Sequence, residues 1–194
     1  VAGSAWEEEP SPVAEAAFSP GAGPGWRAWN EHSPEVEFCD FAGALVQLVE
    51  PAHVIETGTG QGFVTRRIRE QIGPGQQLLC FESSPEWREA LRALPAFDGT
   101  ICTLSDEDRP GDADFSTAAL SVLDSQLGHR FDELQTWWRA APPGALVLIH
   151  GTGGEHADEP PRRRLAALIR ELGIPGVFLK NPRGSFLGFK PEQP

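Results

Sequence analysis

The sequence of 194 residues predicts an α/β fold, with a doubly wound and mostly parallel seven-stranded sheet that ends in a C-terminal antiparallel hairpin. Short apolar runs alternate with helical stretches along the chain, which is typical of parallel strands covered by helices on both faces. The last two apolar runs are joined only by the turn 181–184, which is too short for a crossover connection. This final pair must therefore be antiparallel.

Each element is predicted from its own start and stop signals. The first helix begins at Ser33, its N-cap, with Pro34 in the first turn and apolar residues at helical spacing after it. Gly-Pro-Gly at 73–75 ends the second helix, and the short acidic segment 106–117 leaves room only for a reduced helix. The strands are predicted at 53–56, 77–82, 100–104, 118–124, 145–150, 176–180 and 185–190, and the later helices at 63–72, 84–94, 130–140 and 162–172.

Residues 1–32 are predicted to form a Pro/Gly-rich N-terminal arm, followed by one folded domain over residues 33–194. The prolines and glycines of this stretch prevent any long regular element. Trp26 and Trp29, near the end of the arm, would either anchor it on the domain or wall a substrate pocket. The sequence leaves both interpretations open.

The chain is acidic, with 16 Lys and Arg against 28 Asp and Glu and a net charge of −12. Such a surface repels phosphate backbones and anionic lipids, so we expect no nucleic-acid partner and no membrane partner. The arginine triplet 162–164 is predicted to be a solvated helix face. The expected partner is a small-molecule substrate, and assembly as a homo-oligomer is left open.

The cysteines and the lengths of the apolar runs indicate where in the cell the protein is located. Cys39, Cys80 and Cys102 cannot all pair with one another, which favours buried, reduced thiols in an intracellular protein. No basic-then-apolar leader is evident, and no apolar run approaches the roughly 20 residues that cross a bilayer. We therefore expect a cytoplasmic location.

A glycine-rich loop follows the first strand of the sheet and opens a helix, reading Glu56-Thr57-Gly58-Thr59-Gly60-Gln61-Gly62. Glycine lets the backbone turn sharply and approach a ligand closely. A dinucleotide fingerprint would need glycine where the chain has Phe63, and a phosphate-cradling loop would need Gly-Lys-Ser/Thr, which the chain lacks here. The acid at position 56 would repel a pyrophosphate and suits a ligand with an ammonium group.

A second acid, Glu82, stands at the end of the next strand, where a carboxylate can accept both hydroxyls of a ribose. Together with Glu56 it favours an adenosine that carries a positive charge and no phosphate. S-adenosylmethionine has this description. The alternative interpretation is a tight glycine turn with solvated acids at the strand ends.

From about residue 36 to residue 190 the sequence resembles the class I S-adenosylmethionine-dependent methyltransferases, which have a Rossmann-like sheet. The stretch 54–62 resembles the first motif of the family, Glu82 matches its ribose-binding acid, and the terminal hairpin resembles its reversed seventh strand. Asp106 matches the position that meets the adenine amino group, although Asp108 competes for this role. The cofactor-binding residues that the resemblance implies are Glu56, Thr57, Gly58, Gly60, Gln61, Glu82, Ser83 and Asp106.

The segments after the fourth and fifth predicted strands are similar to a small-molecule O-methyltransferase branch. In that branch a divalent metal is commonly held by an Asp after the fourth strand and by acids after the fifth. Asp124 keeps the first position, but Gly151 follows His150 where the branch reads His-Asp-Thr. One Asp and one His are a poor cage for Mg²⁺, so we expect no complete metal site.

His150 and Asp124 are the candidate catalytic residues. They end neighbouring strands of the expected sheet, so an Asp–His pair could act as the general base that takes the proton of the acceptor. His150 could equally be a capping or packing residue. In that case His129, His32 and His156 remain as other candidates.

The sequence therefore predicts an S-adenosylmethionine-dependent methyltransferase for a small molecule, with O-methylation in natural-product tailoring as the favoured reaction. One alternative is a protein of this fold that binds the cofactor but catalyses a non-methylating reaction such as cyclisation. A second alternative is a non-catalytic partner subunit. A nicotinamide oxidoreductase is disfavoured by Phe63 and by the acid at position 56.

Overall fold

The computed structural model describes residues 11–14, 25–153 and 160–192. Its strands are β1 Val13–Ala14, β2 Arg27–Ala28, β3 His53–Thr57, β4 Gln77–Phe81, β5 Cys102–Leu104, β6 Leu120–Leu123, β7 Leu146–His150, β8 Gly176–Leu179 and β9 Ser185–Phe189. Its helices are α1 Val36–Val49, α2 Phe63–Gln71, α3 Pro85–Arg92, α4 Asp112–Phe115, α5 Leu127–Ala140 and α6 Pro160–Glu171.

The main sheet has seven strands in the order β5-β4-β3-β6-β7-β9-β8. The first five in this order pair in parallel, and β9 is antiparallel to both of its neighbours, β7 and β8. The predicted doubly wound, mostly parallel sheet with a closing antiparallel hairpin is therefore confirmed. The order of the strands reverses at β3, and in such sheets ligands bind beyond the carboxyl ends at this point.

Two apolar cores cover the opposite faces of the sheet. Along β3, Val54 packs into the core shared with α1 and α2, whereas Ile55 packs into the core shared with α5 and α6. The alternation follows from strand geometry, because successive side chains point to opposite faces. Among the described elements, helices pack on both faces of the sheet, and the carboxyl ends of the parallel strands remain accessible to a ligand.

The end of the arm packs against the domain. Strands β1 and β2 form a separate two-stranded antiparallel pair. Ala28 and Trp29 are buried, and the indole of Trp29 stacks on the ring of Phe63 with centroids 4.2 Å apart. Trp29 thus joins the core formed with α1 and α2, as the anchoring interpretation requires.

Two local predictions need correction. Ser33 does not cap α1, because its hydroxyl accepts the backbone N–H groups of Trp29 and Asn30 and so closes the turn before the helix. The N-cap position of α1 is Glu35, whose backbone is extended. Helix α5 begins at Leu127, nearly one turn earlier than the sequence predicts.

The segment between β5 and β6 and the cysteines agree with expectation within the described part of the chain. The connection between β5 and β6 contains only the four-residue helix α4, as expected for this acidic segment. Cys39, Cys80 and Cys102 are buried and free. No helix among the described residues is long and apolar enough to cross a membrane.

Candidate functional site

A cavity of about 530 Å³ opens at the carboxyl edge of the sheet, within the usual size of small-molecule sites. Its walls come from residues 58–61 after β3, 82–84 after β4, 124–127 after β6 and 150–151 at the end of β7. Residues 32–34, which precede α1, complete the rim. The cavity therefore lies at the switch point that the topology indicates.

The glycine loop lies against the loop after β6. Gly58 has a φ of +72°, and a Cβ at this position would lie 2.4 Å from the carbonyl oxygen of Asp124. Its amide donates to the carbonyl oxygen of Phe81 at 2.8 Å, which ties the loop to the end of β4. Only glycine can bring these backbones so close at this φ, so the loop is shaped for a ligand that approaches the main chain.

Glu82 lies on the cavity wall with its carboxylate fixed by two backbone amides. One oxygen accepts the N–H of Gly60 at 2.7 Å and the other accepts the N–H of Ser84 at 2.8 Å. A carboxylate has about four lone-pair sites, so both oxygens can still accept hydroxyl groups. Ser83 and Gln61 line the same end of the cavity.

Glu56 does not line the cavity, although the sequence predicts a ligand contact at this position. One of its carboxylate oxygens accepts the hydroxyl of Thr65 at 2.6 Å and the thiol of Cys80 at 3.3 Å. Burial raises the pKa of Glu56 to about 7, despite these hydrogen bonds, which lower it. Thr57 is also buried behind the loop, where its hydroxyl donates to Glu133 at 3.0 Å. Neither side chain belongs to the wall.

Asp106 lies outside the cavity as well. Its side chain is 92% exposed and pairs with Arg92 at 2.5 Å. The competing acid, Asp108, pairs with Arg88. The loop after β5 therefore turns its acids toward the arginines of α3, and the predicted adenine contact is not present in this arrangement.

The His150 ring lies between two carboxylates. Nδ1 is 2.8 Å from Asp124, Nε2 is 2.6 Å from Glu35, and the ring of Phe38 packs against the imidazole. Burial alone would lower the pKa of His150, but the charges and hydrogen bonds of the two acids outweigh it and raise the pKa to about 9. His150 is therefore a cation at neutral pH.

This arrangement does not support the general-base role predicted for His150. Both ring nitrogens donate to carboxylates, so neither keeps a lone pair that could accept a proton from an acceptor. Burial opposes the ionisation of Glu35, but the charge of His150 and several hydrogen bonds lower the pKa of Glu35 to about 2. The pKa of Asp124 is lowered as well, because the charges of His150 and Arg130 outweigh the effect of its burial. The imidazolium holds two carboxylates in place.

Glu35 also ties the start of α1 to the last hairpin. Its second oxygen accepts the side-chain amide of Asn181 at 3.0 Å and the backbone amide of Arg183 at 2.9 Å. Sequence reasoning missed this residue, because an acid at a helix start is ordinary and nothing local reveals a partner 146 residues away.

Arg130 is the second residue that the sequence did not indicate. It is 8% exposed, lies in the first turns of α5 and lines the cavity. Its Nη2 donates to Asp124 Oδ1 at 2.7 Å, and its Nη1 donates to the carbonyl oxygen of His150. Arg162 lines the same end of the cavity, where the sequence predicted a solvated residue.

The residues at this end do not fit a divalent metal ion. Asp124 Oδ1 is already bonded to Arg130 and His150, and Gly151 supplies no side-chain ligand. The described residues contain no group of three or more His, Cys, Asp or Glu placed to hold a metal. A guanidinium lies where further oxygen ligands would be needed.

The structure thus gathers most of the predicted residues around one cavity. Those on its wall are Gly58, Gly60, Gln61, Glu82, Ser83, Asp124 and His150. Of the other histidines, His32 reaches the rim and His53 is exposed, whereas His129 does not line the cavity. His156 lies outside the described residues.

Solved structures with a similar fold include methyltransferases. An O-methyltransferase from Bacillus cereus in complex with S-adenosylhomocysteine is 15% identical with a TM-score of 0.67, covering 83% of this chain and 84% of that one. The O-methyltransferase TomG from Streptomyces achromogenes, involved in tomaymycin synthesis and in complex with S-adenosylmethionine, is 14% identical with a TM-score of 0.64, covering 84% and 83%. The methyltransferase PaMTH1 from Podospora anserina, bound to S-adenosylhomocysteine, is 14% identical with a TM-score of 0.63, covering 78% and 77%.

No protein-family model matches the sequence, and no curated protein matches it. At these identities the likeness shows the fold. The chain has the fold of the class I S-adenosylmethionine-dependent methyltransferases.

Proposed function

We propose that this protein transfers a methyl group from S-adenosylmethionine to an oxygen of a small molecule. The observation that carries the proposal is the carboxylate of Glu82, fixed on the wall of the cavity beside the glycine loop. A carboxylate held there can accept the two hydroxyls of a ribose. The absence of a phosphate-cradling motif in this loop favours an adenosine without phosphates.

The order of the strands supports separate places for cofactor and acceptor. Glu82 follows β4 and Asp124 follows β6, with the glycine loop of β3 between them, and His150 ends β7 at the far side. Strands lie about 4.8 Å apart, so β4 and β7 are separated by roughly 14 Å. We place the adenosine near Glu82 and the acceptor near Asp124 and His150.

The chemistry asks little of the protein beyond alignment. The sulfonium of the cofactor already contains the leaving group, so the site has to hold the acceptor oxygen in line with the methyl group. TomG, a protein of the same fold, is involved in tomaymycin synthesis. We extend the proposal to a natural-product acceptor on this basis.

Cofactor binding can be tested at Glu82. We expect S-adenosylhomocysteine to bind the wild-type protein, and Glu82→Gln to weaken binding by about 10- to 100-fold, because one charge-assisted acceptor pair is lost. Isothermal titration calorimetry measures both constants. Glu89→Gln, an exposed acid on the adjacent α3, is the matched control and should bind like the wild type. Equal affinity in all three proteins, or no binding to the wild type, would refute the proposal.

A second candidate function is cofactor binding without methyl transfer, either in a rearrangement such as cyclisation or in a non-catalytic partner subunit. It is favoured by the two ion-paired nitrogens of His150, which leave no free imidazole base. Product mass separates the possibilities. A gain of one methylene unit supports methyl transfer, an isomer supports the rearrangement, and cofactor binding with no product from a broad acceptor panel supports the subunit.

A further inference from the structure

The guanidinium of Arg130 lies between two oxygens at the carboxyl ends of adjacent strands. One is Asp124 Oδ1, after β6, at 2.7 Å from Nη2, and the other is the carbonyl oxygen of His150, the last residue of β7. A positive charge between oxygen ligands from these two strand ends is what a metal ion would supply. Here an arginine of the chain supplies it.

Gly151 and Arg130 depend on each other. A Cβ at position 151 would lie 2.4 Å from Arg130 Nη1, and the φ of +74° disfavours any other residue. A carboxylate at this position and the guanidinium in its present place exclude each other. With glycine at position 151, the guanidinium of Arg130 fits beside it and places a positive charge at this end of the cavity.

Arg130 has N–H donors that its two described hydrogen bonds leave unused and that could bind a ligand. A guanidinium carries five N–H groups, and the two bonds described above use two of them. Its Nε is buried and has no hydrogen-bond partner among the described residues. The residue also lines the cavity, whereas both ring nitrogens of the neighbouring His150 are already bonded to carboxylates.

We propose that Arg130 takes the place of a divalent metal ion and binds an acceptor whose reacting oxygen is an anion, such as a phenolate, an enolate or a carboxylate. The proposal rests on the methyl transfer proposed above and adds the class of its acceptor. Arg162 and Arg183 line the same end of the cavity and add positive charge there. A planar fork of donors suits an oxyanion better than a neutral hydroxyl.

An anionic acceptor also balances the reaction without a base. A lone pair of the oxyanion forms the new C–O bond to the methyl carbon, and the C–S bond breaks with its electron pair left on sulfur. The sulfonium becomes a neutral thioether and the oxyanion becomes a neutral ether or ester. No proton moves, which agrees with a site whose only histidine on β7 is bonded on both nitrogens.

The test uses 4-nitrophenol, whose absorbance distinguishes its anion from its neutral form, added to the protein saturated with S-adenosylhomocysteine. We expect the wild type to bind the anion at least tenfold more tightly than 4-nitroanisole, a neutral molecule of nearly the same shape. Arg130→Gln should abolish this preference. Arg139→Gln removes an exposed arginine of the same helix, paired with Asp112, and should leave the preference unchanged.

The wild-type comparison of the two probes decides the proposal even if Arg130→Gln fails to fold. Equal binding of the two probes, no binding of 4-nitrophenol, or an anion preference that survives in folded Arg130→Gln would overturn it. Saturable binding of Mg²⁺ alone in calorimetry, lost in Asp124→Asn, would overturn it too. Because S-adenosylhomocysteine binding is measured first, failure of the cofactor proposal is seen separately from failure of the anionic acceptor.

Discussion

Gly58 and Glu56 are two positions apart on the same loop, yet their surroundings differ. Gly58 faces the cavity and touches the backbone of Asp124, whereas the Glu56 carboxylate is buried behind the loop with Thr65 and Cys80. Glu56 lies within β3, which ends at Thr57, and its carboxylate meets α2 and β4, whereas Gly58 follows the strand in a left-handed turn with a φ of +72°. The motif therefore contains one residue that shapes the site and one that is buried against α2 and β4.

Substituting Gly58 should damage both stability and binding. Gly58→Ala places a methyl group 2.4 Å from the Asp124 carbonyl oxygen at a φ of +72°. We expect a loss of about 2–4 kcal/mol in the free energy of unfolding and loss of S-adenosylhomocysteine binding. Urea denaturation and calorimetry measure these changes. In Gly75→Ala, whose φ is +84° with open space around it, the cost should be about 1–2 kcal/mol and binding should persist. If Gly58→Ala and Gly75→Ala change stability and binding equally, Gly58 does not approach the Asp124 backbone as described.

Glu56 should make stability fall as the pH rises. Its carboxyl ionises near pH 4.5 in the unfolded chain but only at about pH 7 in the folded protein. Folding therefore takes up a proton in this window, and stability decreases from pH 4.5 to pH 7. Relative to wild type, the free energy of unfolding of Glu56→Gln should rise by up to about 3 kcal/mol between pH 4.5 and pH 7. Urea denaturation at several pH values measures it.

The same variant tests the placement of Glu56 relative to the ligand. Because the carboxylate lies off the cavity wall, Glu56→Gln should bind S-adenosylhomocysteine within about threefold of wild type. A large loss of affinity with an intact fold would restore Glu56 as a ligand contact.

At the residue scale, the sequence indicated those site residues whose chemistry is local. The glycine loop and Glu82 were recognisable because turn geometry and a carboxylate at a strand end have meaning by themselves. Glu35 and Arg130 were not recognisable, since their roles arise from partners on other elements. His150 was noticed, but its two carboxylate partners, which change its role from base to cation, could not be read from its neighbours in sequence.

At the element scale, strands were easier to predict than the starts of helices. The apolar runs of the sheet have few alternatives, whereas Ser33 carries a good capping signal that the chain uses for the turn before α1. The arm shows a similar effect. Its proline and glycine content predicted the lack of long elements, but only the fold shows that Trp29 reaches Phe63 at the start of α2.

The arm should matter to both the core and the cavity. Trp29→Ala removes a buried indole and its stack on Phe63, a cavity residue, so we expect a loss of about 3 kcal/mol in unfolding free energy. S-adenosylhomocysteine should bind several-fold more weakly. Urea denaturation and calorimetry measure the two effects. Leu48→Ala on α1, where the side chain is 79% exposed, should change stability by less than about 0.5 kcal/mol. If the urea midpoint of Trp29→Ala equals that of the wild type, the arm is not anchored as described.

At the scale of the whole molecule, the parallel sheet and its antiparallel closing pair could be expected from the alternation of elements, but the closure of the site could not. The carboxyl ends of parallel strands meet at one edge, so Glu82, Asp124 and His150 were expected there together. What the sequence did not indicate is that the edge is closed by two residues 148 positions apart, Glu35 before α1 and Arg183 after β8.

The hydrogen bonds from Glu35 to Asn181 and Arg183 span 146 and 148 positions of the sequence. Contacts of such long range are costly in loop entropy and tend to form late in folding. On the ribosome the carboxylate of Glu35 emerges before its partners and stays without them until the hairpin of β8 and β9 has been synthesised. A nascent chain that stops short of this hairpin should therefore hold part of the sheet but no finished binding site, so ligand binding would report on synthesis of the hairpin.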